Sequence, residues 1–235
     1  LQGDEKCLNF SISVEGEASA QEENATKAEK KTSIPTFNVT AWNNDGSDHD
    51  SFISGYREFS LTGEIATTGI RWTKPYTKVF YAHANIPGSV ASVTCADYTR
   101  QTLTYTVPAD AANQNDILMG TYSGNGGDTR TAELVFKHVL TAVEFYISES
   151  APIPAVSRIT LNGVYGSGSV TQTSNGALGQ WDATNSITVI QTISSSQIAP
   201  GERVGVPFIL IPQESADWIG ISVSAISQGK NILLN

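Results

Sequence analysis

The segment CLNFSISV (7–14) alternates without a fault, with Leu8, Phe10, Ile12 and Val14 on one side and Asn9, Ser11 and Ser13 on the other. A period of two predicts a strand with one buried face. The stretch that follows, EGEASAQEENATKAEKKTSIP, has no aromatic residue and no periodicity through Lys31. It reads as an exposed, flexible linker with accessible lysines. Beyond it come FNVTAW (37–42), YREFSL (56–61), GIRWT (69–73), KVFYAHA (78–84), SVTCADY (92–98), QTLTYTV (101–107), DILMGTYS (116–123) and AELVFKH (132–138). NNDGSD, TKP, NIPG, PADAANQND and SGNGGD separate them. These are turn sequences, since Gly and Asn accept positive φ and Pro presets a turn. Short strands at this spacing predict a sandwich or a barrel.

A second series begins at TAVEFYI (141–147) and continues with VSRITLNGVYG, GSVTQTS, SITVIQTI, VGVPFILIP, IGISVSAIS and a short ILL. It stops in mid-pattern, short of the roughly seven strands of a closed sandwich. The expectation is that one or two terminal strands are absent from this chain or supplied by another molecule. The two series meet in the strongest apolar run, LVFKHVLTAVEFYI (134–147). Up to Phe136 its large apolar groups stand on even positions, and from Val143 they stand on odd ones. One flat strand cannot carry both, because a change of parity moves the hydrophobic set to the other face. The chain therefore bulges or crosses between two cores near His138. A helix is the rival reading, with Val139, Ala142, Val143 and Tyr146 as its stripe. The β-branched residues Val135, Val139, Thr141 and Val143, and the lack of an N-cap signal, favour strand.

The chain has 235 residues, enough for one large β domain or two of about half that size, and the double series favours two. Charged residues make up only 16%, so long charged helices are not expected. A net charge of −9, with no basic run longer than Lys30-Lys31, argues against nucleic acid and against a basic patch for anionic lipid. No stretch reaches the roughly 18 apolar residues of a membrane helix. Cys7 and Cys95 are the only thiols, which rules out a four-cysteine zinc site. A single bridge between them, or a buried Cys95 with a solvated Cys7, are both open readings.

Chemistry is sparse. His49, His83 and His138 each lack a second His or Cys nearby in sequence. His83 reads as a strand residue at a sheet edge or interface. No G-x-S-x-G elbow accompanies His138, so a hydrogen-bonded structural role is expected there. NNDGSDHD (43–50) could offer oxygens to a hard cation but does not fit the EF-hand pattern, and a solvated acidic turn is the simpler reading. GNGGD (124–128) lacks the ends of a phosphate loop and reads as a hairpin turn. Glu144 and Asp182 are the nearest candidates for a glycosidase pair, without a motif behind either. Trp42, Trp72, Trp181 and Trp218 are scattered, which favours burial over a sugar platform. No catalytic, cofactor-binding or metal-binding residue is assigned, and no cofactor is expected.

DILMGTYS, a short turn and AELVFKHVLTAVEFYI resemble the fimbrillin-like proteins of Bacteroidales, the subunits of type V pili, where a Phe-Lys-His strand leads into the second domain. RITLNGVYGSGSV, then QWD, then FILIPQ are similar to that family's C-terminal domain. CLNFSISV, a linker with Ala-Thr-Lys-Ala, and FNVTAW resemble its leader strand, protease-sensitive segment and first mature strand. The resemblance implies an all-β chain of two tandem transthyretin-like Greek-key β-sandwiches, 1–138 and 139–235, with residues 1–31 as leader strand and cleavable linker. His138 would lie at the domain junction. It implies no enzyme but a structural subunit of a cell-surface pilus or fimbria, exported as a lipoprotein to the outer membrane and supporting adhesion. Leader removal would open a groove for a strand of another subunit, a case of β-strand addition.

In that reading Leu8, Phe10, Ile12 and Val14 are the plug. Cleavage in the family usually follows arginine, whereas the matching position here is Lys27, with Lys30 and Lys31 as alternatives. The expected partners are other pilus subunits and a host-surface receptor. Nucleic acid is not expected, and membrane is met only through a lipid anchor on the precursor. The rival function is a tip or accessory adhesin that binds a glycan or protein without polymerising.

Overall fold

A computed structural model describes residues 6–16, 34–72, 76–147, 155–193, 199, 201–213, 220–227 and 230–234. The fold is all-β. In chain order the strands are β1 (Lys6–Val14), β2 (Thr36–Asn43), β3 (Ser51–Ser60), β4 (Ile65–Trp72), β5 (Lys78–Ala84), β6 (Ala91–Asp97), β7 (Arg100–Thr106), β8 (Leu118–Gly124) and β9 (Thr131–His138). They continue as β10 (Thr141–Val143), β11 (Ala155–Thr173), β12 (Asp182–Thr192), β13 (Phe208–Leu210), β14 (Gly220–Ser227) and β15 (Lys230–Leu234). Among the described residues the one helical piece is a 3-10 turn, Ala111–Asn113, capped by the Asp110 carboxylate, which accepts from the Ala112 amide. No helix among them is long and apolar enough to cross a membrane.

The strands order as a seven-stranded sheet β3-β2-β5-β8-β9-β1-β4, a two-stranded β10-β13 and a six-stranded sheet β15-β14-β11-β7-β6 with β12 on β11. β3 and β4 are consecutive in sequence yet stand at opposite ends of the seven-stranded order. Only the turn 61–64 joins them, so the sheet rolls until its edges approach, in the manner of an open barrel. Its interior holds Leu8, Phe10, Phe37, Val39, Phe59, Trp72, Phe80, Leu134 and Phe136. A second cluster holds Leu103, Tyr105, Met119, Val139, Leu140, Ile159, Leu161, Val189 and Phe208.

The opening run divides between these clusters. Ala132, Leu134 and Phe136 face the first, while Val139, Leu140 and Ile147 face the second, with Val143 and Phe145 packed against it. The parity change occurs where β9 ends at His138 and Val139 donates its amide to the Ile117 carbonyl at 3.2 Å. The helical alternative is not what forms.

Three strand expectations need correction. VSRITLNGVYG and GSVTQTS are one strand, β11, running through both. Gly163, at φ +81°, makes a bulge between Asn162 and Val164 rather than a turn. A Cβ on Gly166 would lie 2.6 Å from the Ile187 side chain, and one on Gly168 would lie 2.8 Å from the Asp182 carbonyl. These glycines admit β12. β11 can then pair β14 along Ala155–Asn162 and β7 along Ser167–Thr173. TAVEFYI and VGVPFILIP form a regular ladder with each other only at Thr141–Val143 and Phe208–Leu210; beyond it the pairing thins to the Val204 amide on the Phe145 carbonyl at 2.7 Å and an isolated bridge between Tyr146 and Arg203.

β6 and β7 precede His138 in sequence but lie in the sheet of β11. Through them the second sheet covers the outer face of β5 and β8. β5 is thereby buried on both faces, which is why KVFYAHA is nearly continuously apolar. At this contact Gln101 and Gln172, both fully buried, sit opposite one another across β7 and β11. Gln101 Nε2 lies 2.8 Å from Gln172 Oε1 and within 3.1 and 3.2 Å of the Ala82 and Gly120 carbonyls. Gln172 Nε2 donates to the Met119 carbonyl at 3.3 Å, and Tyr56 donates its hydroxyl to Gln101 Oε1 at 2.7 Å.

His83 borders this polar layer, edge-on to Tyr56 at 4.5 Å, with Nδ1 buried and lacking a hydrogen-bond partner. Burial pushes its imidazole down to about 4. The folded value lies below the unfolded one, so the unfolded chain binds more protons and stability falls as pH drops from about 6.5 toward 4. The expected loss is roughly 2 kcal/mol by about pH 5. Asp48 and Glu144 are held below the usual carboxylate range, so their loss comes lower still. Denaturant midpoints measured against pH should show this slope, and His83→Phe should flatten it. An equal slope in the variant would refute the assignment.

Candidate strand-insertion groove

β1 lies between β4 and β9. It pairs β9 in parallel, from Asn9 opposite Thr131 to Val14 opposite Phe136, and β4 antiparallel, from Lys6 opposite Trp72 to Ser11 opposite Ile65, with a bulge between Cys7 and Asn9. Alternation places Leu8 and Phe10 inside the rolled sheet, each fully buried. The Phe10 ring stands edge-on to Phe37, Phe59 and Phe80 at centroid distances of 5.9, 5.0 and 5.6 Å. Ile12 and Val14 share that face but are only half-buried. The reason is geometric: β4 begins at Ile65, opposite Ser11, so beyond Ser11 β1 is flanked among the described residues by β9 alone.

Polar contacts fix the register at both ends. Lys6 Nζ donates to the Asp128 carbonyl at 2.9 Å, Asn9 donates its amide to the Arg130 carbonyl at 3.0 Å, and Thr68 Oγ1 donates to the Leu8 carbonyl at 2.8 Å. At the far end the Glu15 amide meets the Phe136 carbonyl at 2.8 Å, and Lys137 Nζ lies 2.6 Å from Glu15 Oε2. That last pair is exposed, and worth about 1 kcal/mol or less. The hold on β1 is chiefly its two ladders and the buried Leu8 and Phe10.

Remove β1 and three things follow. β4 loses its one ladder partner among the described residues, β9 loses one of two, and the apolar wall of Phe37, Phe59 and Phe80 opens. Lys27, Lys30 and Lys31 lie outside the described residues. They belong to the stretch 17–33 that connects β1 to the rest of the chain.

The other sequence candidates are placed as follows. His138 Nδ1 lies 2.6 Å from Asp116 Oδ2 at the end of β9. Cys7 is exposed and Cys95 half-buried, and both are free thiols; burial pushes Cys95 up to about 11, and its sulfur accepts from the Trp42 indole at 3.3 Å. In the acidic turn the Asp50 amide donates to Asp48 Oδ1 and Asn43 Nδ2 donates to both Asp48 oxygens, which together hold the Asp48 carboxyl low. His49 stacks on Tyr98 at 3.8 Å. Among the described residues no three His, Cys, Asp or Glu converge as metal ligands.

Glu144 accepts from the Tyr146 hydroxyl and from Arg203, which depress its carboxyl, while Asp182 opens β12 opposite Ser169. The indole N–H groups of Trp72 and Trp181 bind the Tyr76 and Val139 carbonyls, and Trp218 lies outside the described residues. Buried polar side chains also stand outside the sequence candidates: Arg130, in the turn before β9, and the Gln101–Gln172 pair. For the glutamines a signal existed. Gln101 shares the parity of Leu103 and Tyr105, a core face.

Comparison with solved structures finds a protein of Bacteroides ovatus provisionally assigned to cell adhesion, 13% identical, with a TM-score of 0.65 over 97% of this chain and 85% of that one. At that identity the likeness is one of fold. A protein of Bacteroides eggerthii with the same provisional assignment matches at 12% identity and a TM-score of 0.48, over 97% of this chain and 78% of its own. The comparison with curated protein sequences finds no match. The family model for fimbrillin-like proteins matches residues 24–233, from within the linker to the last strand. With nearly the whole sequence inside that match, the chain belongs to the fimbrillin-like family.

Proposed function

We propose that the chain is a structural subunit of a cell-surface fimbria and that β1 is a provisional occupant of its own groove. Cleavage among Lys27, Lys30 and Lys31 frees the leader, and a strand of the next subunit takes its place. The observation that carries this reading is the position of β1. It completes the sheet between β4 and β9 and fills the core with Leu8 and Phe10, and the stretch 17–33, which holds the three lysines, joins it to β2. The entering strand would run parallel to β9 and antiparallel to β4. It would need a large apolar residue for the Phe10 site and a second one two positions before it. Family membership and the adhesion assignment of the Bacteroides ovatus relative support a role in fimbriae, adhesion and a surface location.

The same reading treats 1–138 and 139–235 as two tandem transthyretin-like units with His138 at their junction. The hairpin β6–β7 of the first unit would then be lent to the sheet of the second, and the glutamine pair would be the seam.

Limited trypsin treatment tests the reading. The expected outcome is a cut between Lys27 and Lys31 with the remainder intact by mass spectrometry, followed by growth of larger species on size exclusion as the leader is displaced. A linker that resists trypsin, or a cut protein that stays monomeric once the leader has gone, would count decisively against it.

A further inference from the structure

We propose that Arg130 is a brace that holds the β1 groove open while it is empty, so that an incoming strand meets a preformed slot. This positioning role rests on the strand-exchange reading above. The need for a brace comes from the topology. β4 and β9 stand two strand spacings apart, roughly 9–10 Å, and the backbone between them is β1 alone. When β1 leaves, the amides and carbonyls that β4 turned toward it lose their ladder partner among the described residues. Left to itself, β4 would fray or swing onto β9, and either movement would erase the slot.

Besides the packing of its buried side chains, β4 has polar attachments at both ends that do not involve β1. At its start the turn 61–64 ties it to β3, with the Leu61 amide on the Pro35 carbonyl and the Thr62 amide on the Ile65 carbonyl, each at 3.0 Å. At its end stands Arg130. This residue immediately precedes β9, is fully buried, and donates Nε to the carbonyl of Trp72, the last residue of β4, at 3.0 Å. Its Nη1 donates to the Gly127 carbonyl within its own turn. The side chain therefore runs from the β9 wall to the β4 wall, at the level where Lys6 lies opposite Trp72.

The surroundings are built to keep it there. Arg130 holds φ at +56°, a left-handed conformation that costs a non-glycine residue energy and persists where neighbours fix it. Trp72, fully buried, packs so closely on the turn that a Cβ on Gly126 would lie 2.6 Å from its ring. A buried guanidinium is expensive to desolvate, and a leucine would fill the space at lower cost. What only arginine supplies is a set of donors pointing to both carbonyls at once.

The brace differs from an ordinary stabilising contact in when it acts. In the intact chain β1 ties β4 along its length and the brace is one contact among many. In the emptied protein it is a polar hold on the β4 backbone at that end, beside the packing of the Trp72 ring on Phe80 and Tyr122. The test uses full chain nicked by trypsin in the linker and a fluorescent peptide of the sequence of residues 6–15, whose uptake reports exchange into the groove. Nicked wild-type protein should take up the peptide, folded Arg130→Gln should bind it at least about tenfold more weakly, and Arg130→Lys should fall between.

The unfolding midpoint of un-nicked Arg130→Gln should fall by less than peptide binding predicts. A purely structural role would show the opposite, a lowered midpoint with unchanged uptake by the folded fraction. Uptake by Arg130→Gln within about twofold of wild type overturns the brace alone. Failure of nicked wild type to take up any peptide overturns strand exchange and the brace with it. If Arg130→Gln does not fold, Arg130→Lys decides by the same comparison.

Discussion

Phe10→Ala should lower the stability of the intact chain by about 3–5 kcal/mol, the range for deleting a fully buried aromatic ring. The ring is wholly enclosed and meets Phe37, Phe59 and Phe80 edge-on, so its loss leaves a cavity whose walls are themselves rigid aromatics with little freedom to collapse. Ile12→Ala is the internal control. Ile12 lies on the same face of the same strand but is half-buried, so its truncation should cost about 1–2 kcal/mol. Urea midpoints of the two variants, compared at constant slope, measure the difference. Equal losses would mean that β1 is not seated as described.

The same substitution has a second readout. After trypsin nicking, the leader is held by its ladders and by Leu8 and Phe10 without a covalent tie. Phe10→Ala should then release the leader faster and expose the groove sooner. A variant that is less stable when intact and quicker to enlarge when nicked joins the two consequences of one buried ring.

The position of this ring was only half legible in the sequence. Alternation in CLNFSISV made Leu8 and Phe10 core residues, and they are. It gave Ile12 and Val14 equal standing, and they are not equal, because burial along β1 depends on where β4 begins. No local pattern encodes that. Parallel pairing with β9, more than a hundred residues away, was likewise beyond reach of periodicity, which reports a strand's faces and says nothing of its neighbours. The parity change in LVFKHVLTAVEFYI was readable because both cores lie close along one stretch of chain. Glycines misled in GVYGSGSV, where they mark the close approach of β12 and not a turn. Arg130 gave no signal at all. Within SGNGGDTR it looks like any solvated arginine, and only the return of β4 makes it interior.

Gln101→Ala should cost about 3 kcal/mol or more, far above the half kilocalorie of an ordinary surface change. Gln101 occupies a core-parity position between sheets, where an apolar side chain would satisfy packing but not the groups that face it. Truncation strands the Tyr56 hydroxyl and Gln172 Oε1, both turned toward the missing amide, in a region that water does not enter freely. Burial raises the Tyr56 phenol well above its ordinary range, so it remains a donor in search of an acceptor. Gln172→Ala alone should be milder, since Gln101 retains the Ala82 and Gly120 carbonyls. A double-mutant cycle should give a coupling of at least about 1 kcal/mol between the two glutamines. The amides link β7 and β11 to the backbones of β5 and β8, so the coupling measures how far these two fastenings of the second sheet to the first act as one. Additive losses would show that each glutamine fastens its own strand of the second sheet to the first independently.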